Sequence, residues 1–262
     1  MGWFGNLFGG SKPKPQPATP VEAAVQRYEA AKPPPPPQFE VVRAEDLVPR
    51  KYKPVQPLDL MKVNYVESPN KGPRADGDEV LYIVLHHTGP GSFGGILKWL
   101  CDPAAKASAH YLLGIDAELT QMVNTSKKAW HAGVSKWDGR SDINRFSVGI
   151  EICNIGRMEK MDDGFCYYES GRELKKYTGS VPPEAGSITY PSGKVVDGHY
   201  VPYPAVQVEK LVALCKGLVK KYPAITKKNI ITHYDIGQPE GRKNDPFGLD
   251  VEMIREWVFE GL

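Results

Sequence analysis

The seven residues from Val80 to His86, VLYIVLH, decide how this chain folds: six apolar or aromatic side chains in unbroken succession, ending on an imidazole. A half-exposed strand alternates apolar and polar residues, whereas a short continuous run of this kind is a strand buried on both faces. Such a strand needs partners beside it and layers above and below. Ser147 to Cys153 (SVGIEIC) supplies a second buried run, in which Gly149 permits close approach of another group. Asn229 to Thr232 is a short final strand. Tyr111 to Ile115 and Leu119 to Val123, joined by Asp116-Ala117-Glu118, make a hairpin. Helices are expected over Ser92 to Cys101, with Ile96, Leu97, Leu100 and Cys101 as the apolar stripe, from Pro204 to about Lys221, and over Val251 to Trp257. The reading is an α/β fold with a central mixed β-sheet flanked by helices.

Two regions fall outside this pattern. Residues 1–76 read as an extended Pro-rich arm with one small helix, which Thr19-Pro20-Val21-Glu22 would start. The run Pro33 to Pro37 should be stiff and extended. Trp3, Phe4, Leu7 and Phe8 would cluster on one side of a short helix, which suits docking to a membrane surface or a protein partner; a solvated tail is the alternative. The folded domain is expected over 77–262, with 156–203 as a polar insertion containing a turn at Pro191-Ser192-Gly193.

Composition narrows the partners. With 33 basic and 31 acidic residues the formal charge is +2, too small an excess to predict nucleic acid. No window reaches the 18 or so uninterrupted apolar residues of a spanning helix. The N-terminus MGWFGNLFGGSKPKP lacks basic residues ahead of its short apolar stretch, so it is a poor secretory signal, and Asn6 breaks the myristoylation pattern. Synthesis in a cytosol without self-export is the expectation. Cys101, Cys153, Cys166 and Cys215 show no CxxC spacing and read as free thiols, with a Cys153–Cys166 disulfide as the alternative.

Three positions could share one metal. His86 ends the first buried strand, His233 ends the last (NIITHYD), and Asp245 follows in GRKNDPFG. Two imidazoles, a carboxylate and an open position are what a hydrolytic zinc needs. Each residue alone is weak evidence. A strand-end histidine can be a hydrogen-bonded structural residue, and an aspartate before proline can simply make a turn. Composition and periodicity leave both readings open.

The ordered motifs IVLHHTGP, SAHYLLGIDAELTQMV, AWHAGVS, FSVGIEICN, PYPAVQ and THYDIGQPEGRKNDP narrow the choice. Together, over roughly 79–258, they resemble the type 2 N-acetylmuramoyl-L-alanine amidases, the family related to peptidoglycan recognition proteins and phage amidase lysozymes. The resemblance implies a mixed sheet with a groove, one Zn2+ per chain, peptidoglycan as substrate, and hydrolysis of the amide between N-acetylmuramic acid and L-alanine. It makes His86, His233 and Asp245 the metal ligands, Glu151 the acidic residue facing the metal site, Lys243 a cation beside the third ligand, and His131 a groove histidine. His87 matches a variable neighbour, so packing or a local hydrogen bond is its expected role. Trp130, His110 and Asp235 are expected at the substrate groove or just behind it.

These roles make chemical sense. A water attacking an amide needs a base that later protonates the leaving nitrogen, which Glu151 could be. The developing oxyanion needs positive charge, which Lys243 and His131 could supply. The chain also departs from the family: Gln238 to Glu240 lengthen the loop before Asp245, Phe247 stands where glycine is common, and Asp116-Ala117-Glu118 replaces an Asp-Gly turn. The first two could reshape the groove. A peptidoglycan-binding or structural virion module that does not cut is the competing reading, disfavoured because the three ligands, Glu151 and Lys243 are all present. The expected setting is a phage lysis or virion-associated protein acting at the cell wall, with a secretion-system effector or a cytosolic recycling amidase as the alternatives.

Overall fold

The computed structural model describes residues 63–169 and 173–262. The helix, polyproline run and docking role expected of residues 1–62 lie outside them. Strands β1 (Asn64–Tyr65) and β2 (Lys71–Pro73) lead into β3 (Tyr82–His87) and helix α1 (Phe93–Leu100). Next come β4 (Tyr111–Leu113), β5 (Leu119–Gln121), β6 (Lys127–Ala129), β7 (Lys136–Trp137), β8 (Arg140–Ser141) and β9 (Ser147–Ile152). Strands β10 (Met158–Met161), β11 (Gly164–Glu169), β12 (Glu173–Lys176), β13 (Glu184–Thr189) and β14 (Val195–Tyr200) follow. The chain closes with α2 (Ala205–Lys221), β15 (Ile230–Thr232), α3 (His233–Ile236) and α4 (Val251–Phe259).

The main sheet has six strands in the order β1-β5-β4-β9-β3-β15. It is mixed, with β3 parallel to both β9 and β15, β4 parallel to β9, and the β4–β5 hairpin antiparallel. Strand β3 lies between two partners, and Ile83, Val84 and Leu85 are fully buried, which is why its sequence does not alternate. Helix α1 starts where the Ser92 side chain accepts the Gly95 N–H. It packs Phe93, Ile96, Leu97 and Leu100 against Leu112 and Met122. Helix α2 buries Val208, Leu211, Val212, Leu214, Cys215 and Leu218, each such side chain contributing about 1.5–3 kcal/mol of apolar burial.

The folded body extends further toward the N-terminus than a boundary at 76. Strand β1 pairs in parallel with β5, and the Ser68 hydroxyl donates to the Leu100 carbonyl at 2.6 Å. Asn70 Nδ2 donates to the Asp102 and Ala107 carbonyls at 2.7 and 2.9 Å. Arg74 Nη2 reaches the Ser147 carbonyl at 2.7 Å. This segment is attached by polar side chains, so it carries no hydrophobic period to read.

The insertion is more regular than its polarity suggested. It forms a five-stranded antiparallel sheet in the order β12-β11-β10-β14-β13. Met161, Tyr168, Leu174 and Val195 on it stay exposed, and one-face burial shows only along β13, where Ile188 and then Tyr190 turn inward. The β13–β14 turn falls at Pro191–Gly193, with Gly193 at φ +87°. The cysteines are free thiols, so Cys153 and Cys166 are not bridged. No described helix is long and apolar enough to cross a membrane.

Candidate active site

Three buried side chains converge at one end of the main sheet. His86 is the penultimate residue of β3, and Asp245 comes from the loop after α3. His233 differs from its expected place: it is the first residue of α3 rather than the end of a strand. Thr232 caps that helix in a capping box with Asp235, whose carboxylate accepts the Thr232 N–H at 2.9 Å. Of the two places expected for Asp235, the groove or just behind it, it takes the second: its carboxylate starts the turn that aims His233. The loop is pinned beside it by the Tyr234 N–H, which donates to the Asp245 carbonyl at 3.1 Å.

One ligand atom from each of His86, His233 and Asp245 lies within 4.8 Å of the others. With each imidazole neutral, the hydrogen bonds behind them place the ring protons as follows. Ser147 Oγ must donate to the Ile143 carbonyl at 2.7 Å, so it accepts from His131 Nε2 at 3.1 Å. His131 Nδ1 then accepts from His86 Nε2 at 3.0 Å, which leaves His86 Nδ1 without a proton. His233 Nε2 donates to the Ala132 carbonyl at 3.2 Å, so its Nδ1 is bare as well. The two bare nitrogens are 2.9 Å apart, and Asp245 Oδ2 lies 2.9 Å from one and 3.2 Å from the other. Three lone-pair donors facing one another with no proton between them fit a cation. Two nitrogens and one oxygen are a donor set that suits zinc.

Burial, then the neighbouring His233, pushes His86 down to about 4, which favours the neutral ring that a ligand needs. His131 is held well below its ordinary value by burial and by His86. Its ring lines the groove beside Glu151, as the reading placed it.

Glu151 stands opposite His86 in the β3–β9 register, on the same face. Its Oε2 is sealed from solvent without a hydrogen-bond partner, and burial, followed by the charge of Asp245, pushes the carboxyl up to about 8 against the pull of Lys243. An unpartnered buried carboxylate oxygen is costly and marks a group aimed at something else. Lys243 lines the same groove, and its carbonyl is held by the Tyr190 hydroxyl at 2.8 Å. Trp130 also lines the groove, as expected. His110 does not: it is fully buried, accepts the Gly149 N–H at 3.0 Å and donates to the Lys127 carbonyl at 3.0 Å. His87 also borders the groove, and its Nδ1 accepts the Phe247 N–H at 3.1 Å, the local hydrogen bond read for it.

The groove over these residues encloses about 890 Å³. The sequence reading missed part of its wall: Arg157, Tyr190, Lys194 and Val196 come from the insertion. Both loop departures face that insertion. Glu240, in the lengthened loop, accepts from the Ser192 backbone N–H and hydroxyl, and Phe247 is fully buried against Ile188 and Tyr190. Sequence also passed over Ser147, which looks like an ordinary strand residue until its hydroxyl is seen at the end of the histidine chain.

A family profile described as N-acetylmuramoyl-L-alanine amidase matches residues 76–248. The 1,6-anhydro-N-acetylmuramyl-L-alanine amidase AmpD of Enterobacter cloacae is 31% identical over 204 residues, covering 71% of this chain and 84% of that protein. The N-acetylmuramoyl-L-alanine amidase AmiD of Escherichia coli K12 is 26% identical over 171 residues, covering 63% of this chain and 48% of AmiD. Among solved structures, the crystal structure of a Se-Met AmpD derivative matches with a TM-score of 0.52 and 29% identity, over 76% of this chain and 96% of that one.

Proposed function

The chain belongs to the N-acetylmuramoyl-L-alanine amidase family, and from that premise we propose that it uses one zinc ion to hydrolyse the bond between N-acetylmuramic acid and L-alanine in peptidoglycan. The observation that carries the zinc reading is the convergence of three buried ligand atoms, one each from His86, His233 and Asp245, within 4.8 Å of one another. When bound, zinc supplies Lewis-acid chemistry, polarising a carbonyl and making water more acidic. The rest falls to this chain's own residues.

Glu151 takes the proton of the attacking water and delivers it to the alanine nitrogen as the amide bond breaks; its partnerless Oε2 supports that role. Lys243 offsets the negative charge that grows on the carbonyl oxygen. His131 and Ser147 hold the His86 ring so that its bare nitrogen faces the site. The buried surroundings strengthen each of these electrostatic effects.

The test is to purify the protein, measure zinc, and follow release of peptide bearing new L-alanine amino termini from purified sacculi, beside a Glu151→Ala variant. One zinc per chain, release by the wild type and none by the variant is the expected result. Zinc binding without cleavage of sacculi or muropeptides would replace this reading with a binding module. A protein that takes up no zinc would overturn the ligand assignment.

A further inference from the structure

We propose that Trp99 and Trp130 form a glycan-binding wall, so that the groove holds peptidoglycan with its sugar strand along α1 and its peptide toward the insertion, and favours polymeric strands over single-sugar muropeptides. The proposal rests on the amidase reading for its substrate class.

Trp99 is set apart from its helix by exposure. Phe93, Ile96, Leu97 and Leu100 pack inward, Ile96 and Leu100 also bordering the groove, whereas Trp99 lines it while 55% exposed. Trp130 is 37% exposed and lines the same groove. Large indoles left open beside a site mark a contact surface. Both stand on one wall: Ala107 and Ser108, which follow α1, line the groove as well. Ser108 exchanges hydrogen bonds with the Trp130 backbone, donating N–H to its carbonyl and accepting its N–H on Oγ, both at 3.0 Å.

The facing wall adds cations. It presents Arg157, Lys194 and Lys243 beside Tyr190 and Val196, with Arg157 paired to Glu159 at 3.1 Å. Helix α1 packs on β4, whereas the insertion hairpin packs on Tyr234 and Phe247, which follow β15. Strands β9 and β3, carrying Glu151 and His86, run between β4 and β15. An aromatic wall and a cationic wall thus flank the reacting residues.

The substrate is divided the same way. Sugar rings are uncharged and present C–H faces that stack on indole, while the indole N–H can donate to a hydroxyl. The peptide carries free carboxylates that pair with cations. Placing the sugar on the tryptophans and the peptide on the cations sets their junction over His86, His233 and Asp245. Two indoles offer purchase to more than one ring, which a single-sugar muropeptide cannot use.

The experiment uses the full-length zinc-loaded protein, titrated by calorimetry with peptide-free glycan strands. In parallel, kcat/KM is measured on sacculi and on N-acetylmuramoyl-peptide, for wild type, Trp99→Ala and Trp99→Phe. The expected result is strand binding that weakens about tenfold in Trp99→Ala, or about 1.4 kcal/mol, and is largely restored by phenylalanine. The ratio of sacculus to single-sugar turnover should fall by a similar factor. Strand affinity and turnover ratio unchanged in Trp99→Ala would overturn the proposal, as would cleavage by a wild type that binds no strands. Strand binding that depends on Trp99 in a protein that cuts nothing would support the wall and defeat the amidase reading instead.

Discussion

His86 Nε2 and His131 Nδ1 lie 3.0 Å apart, and the direction of that hydrogen bond is set from its far end, where Ser147 Oγ donates to the Ile143 carbonyl. With neutral imidazoles, that chain of donors leaves His86 Nδ1 bare toward His233 and Asp245. His131 would thereby set which face of His86 is available to a metal. His131→Ala should weaken zinc binding about 10–100-fold, and Ser147→Ala should act in the same direction by less. Competition against a chromophoric chelator measures both, and wild-type affinity in His131→Ala would remove the relay from the account.

Glu151→Gln keeps the shape of the side chain and removes its basicity. Its kcat on sacculi should drop about 10²–10⁴-fold, with zinc content and Tm close to wild type. A variant that retains full turnover would assign proton transfer to another group.

Metal removal should loosen the fold, because three lone-pair donors are left facing one another in a buried site. At a thousandfold excess of free zinc over Kd, the bound ion stabilises the native state by about 4 kcal/mol. A chelator should therefore lower Tm by on the order of 10 °C, and added zinc should restore it. In Asp245→Ala the chelator should change Tm far less; an equal shift there would place the ion elsewhere.

Phe247 ties the insertion to the loop that carries Asp245, being fully buried against Ile188 and Tyr190. Phe247→Ala should cost about 3–5 kcal/mol in urea unfolding and lower zinc affinity as well, since residue 247 is two positions from the ligand. Destabilisation with unchanged zinc affinity would show that the anchor does not reach the site.

Asp78 accepts two hydrogen bonds from Arg145, at 3.0 and 2.6 Å, and one from the Ala75 N–H at 2.9 Å. The Arg145 hydrogen bond leads in holding its carboxyl below the ordinary value. A depressed carboxyl stabilises the fold above the unfolded pKa, about 3.9, and that stability disappears as pH falls through the folded value. Wild type should therefore exceed Asp78→Asn in stability at neutral pH, and the gap should close as pH falls below that range. A pH-independent gap in urea midpoints would mean that the charge of Asp78 does not matter.

What the sequence determined by itself were the elements whose environment is uniform along their length. The run Val80 to His86 is apolar throughout because β3 has strands on both sides and layers on both faces, and α1 and α2 show their buried stripes for the same reason. The residues that meet at the metal site were legible as residue types at the ends of such elements, and the family resemblance joined them. Tertiary structure alone decided the rest. Whether Asp235, His110 and His131 face substrate or support other groups depends on which hydrogen bonds they make, and those partners come from distant parts of the chain. The insertion concealed most of its strands because solvent reaches their side chains, leaving periodic burial only along β13. Its place as a groove wall follows from Tyr190, Ser192 and Phe247 meeting a lengthened loop, a fit between segments remote in sequence that no local pattern encodes.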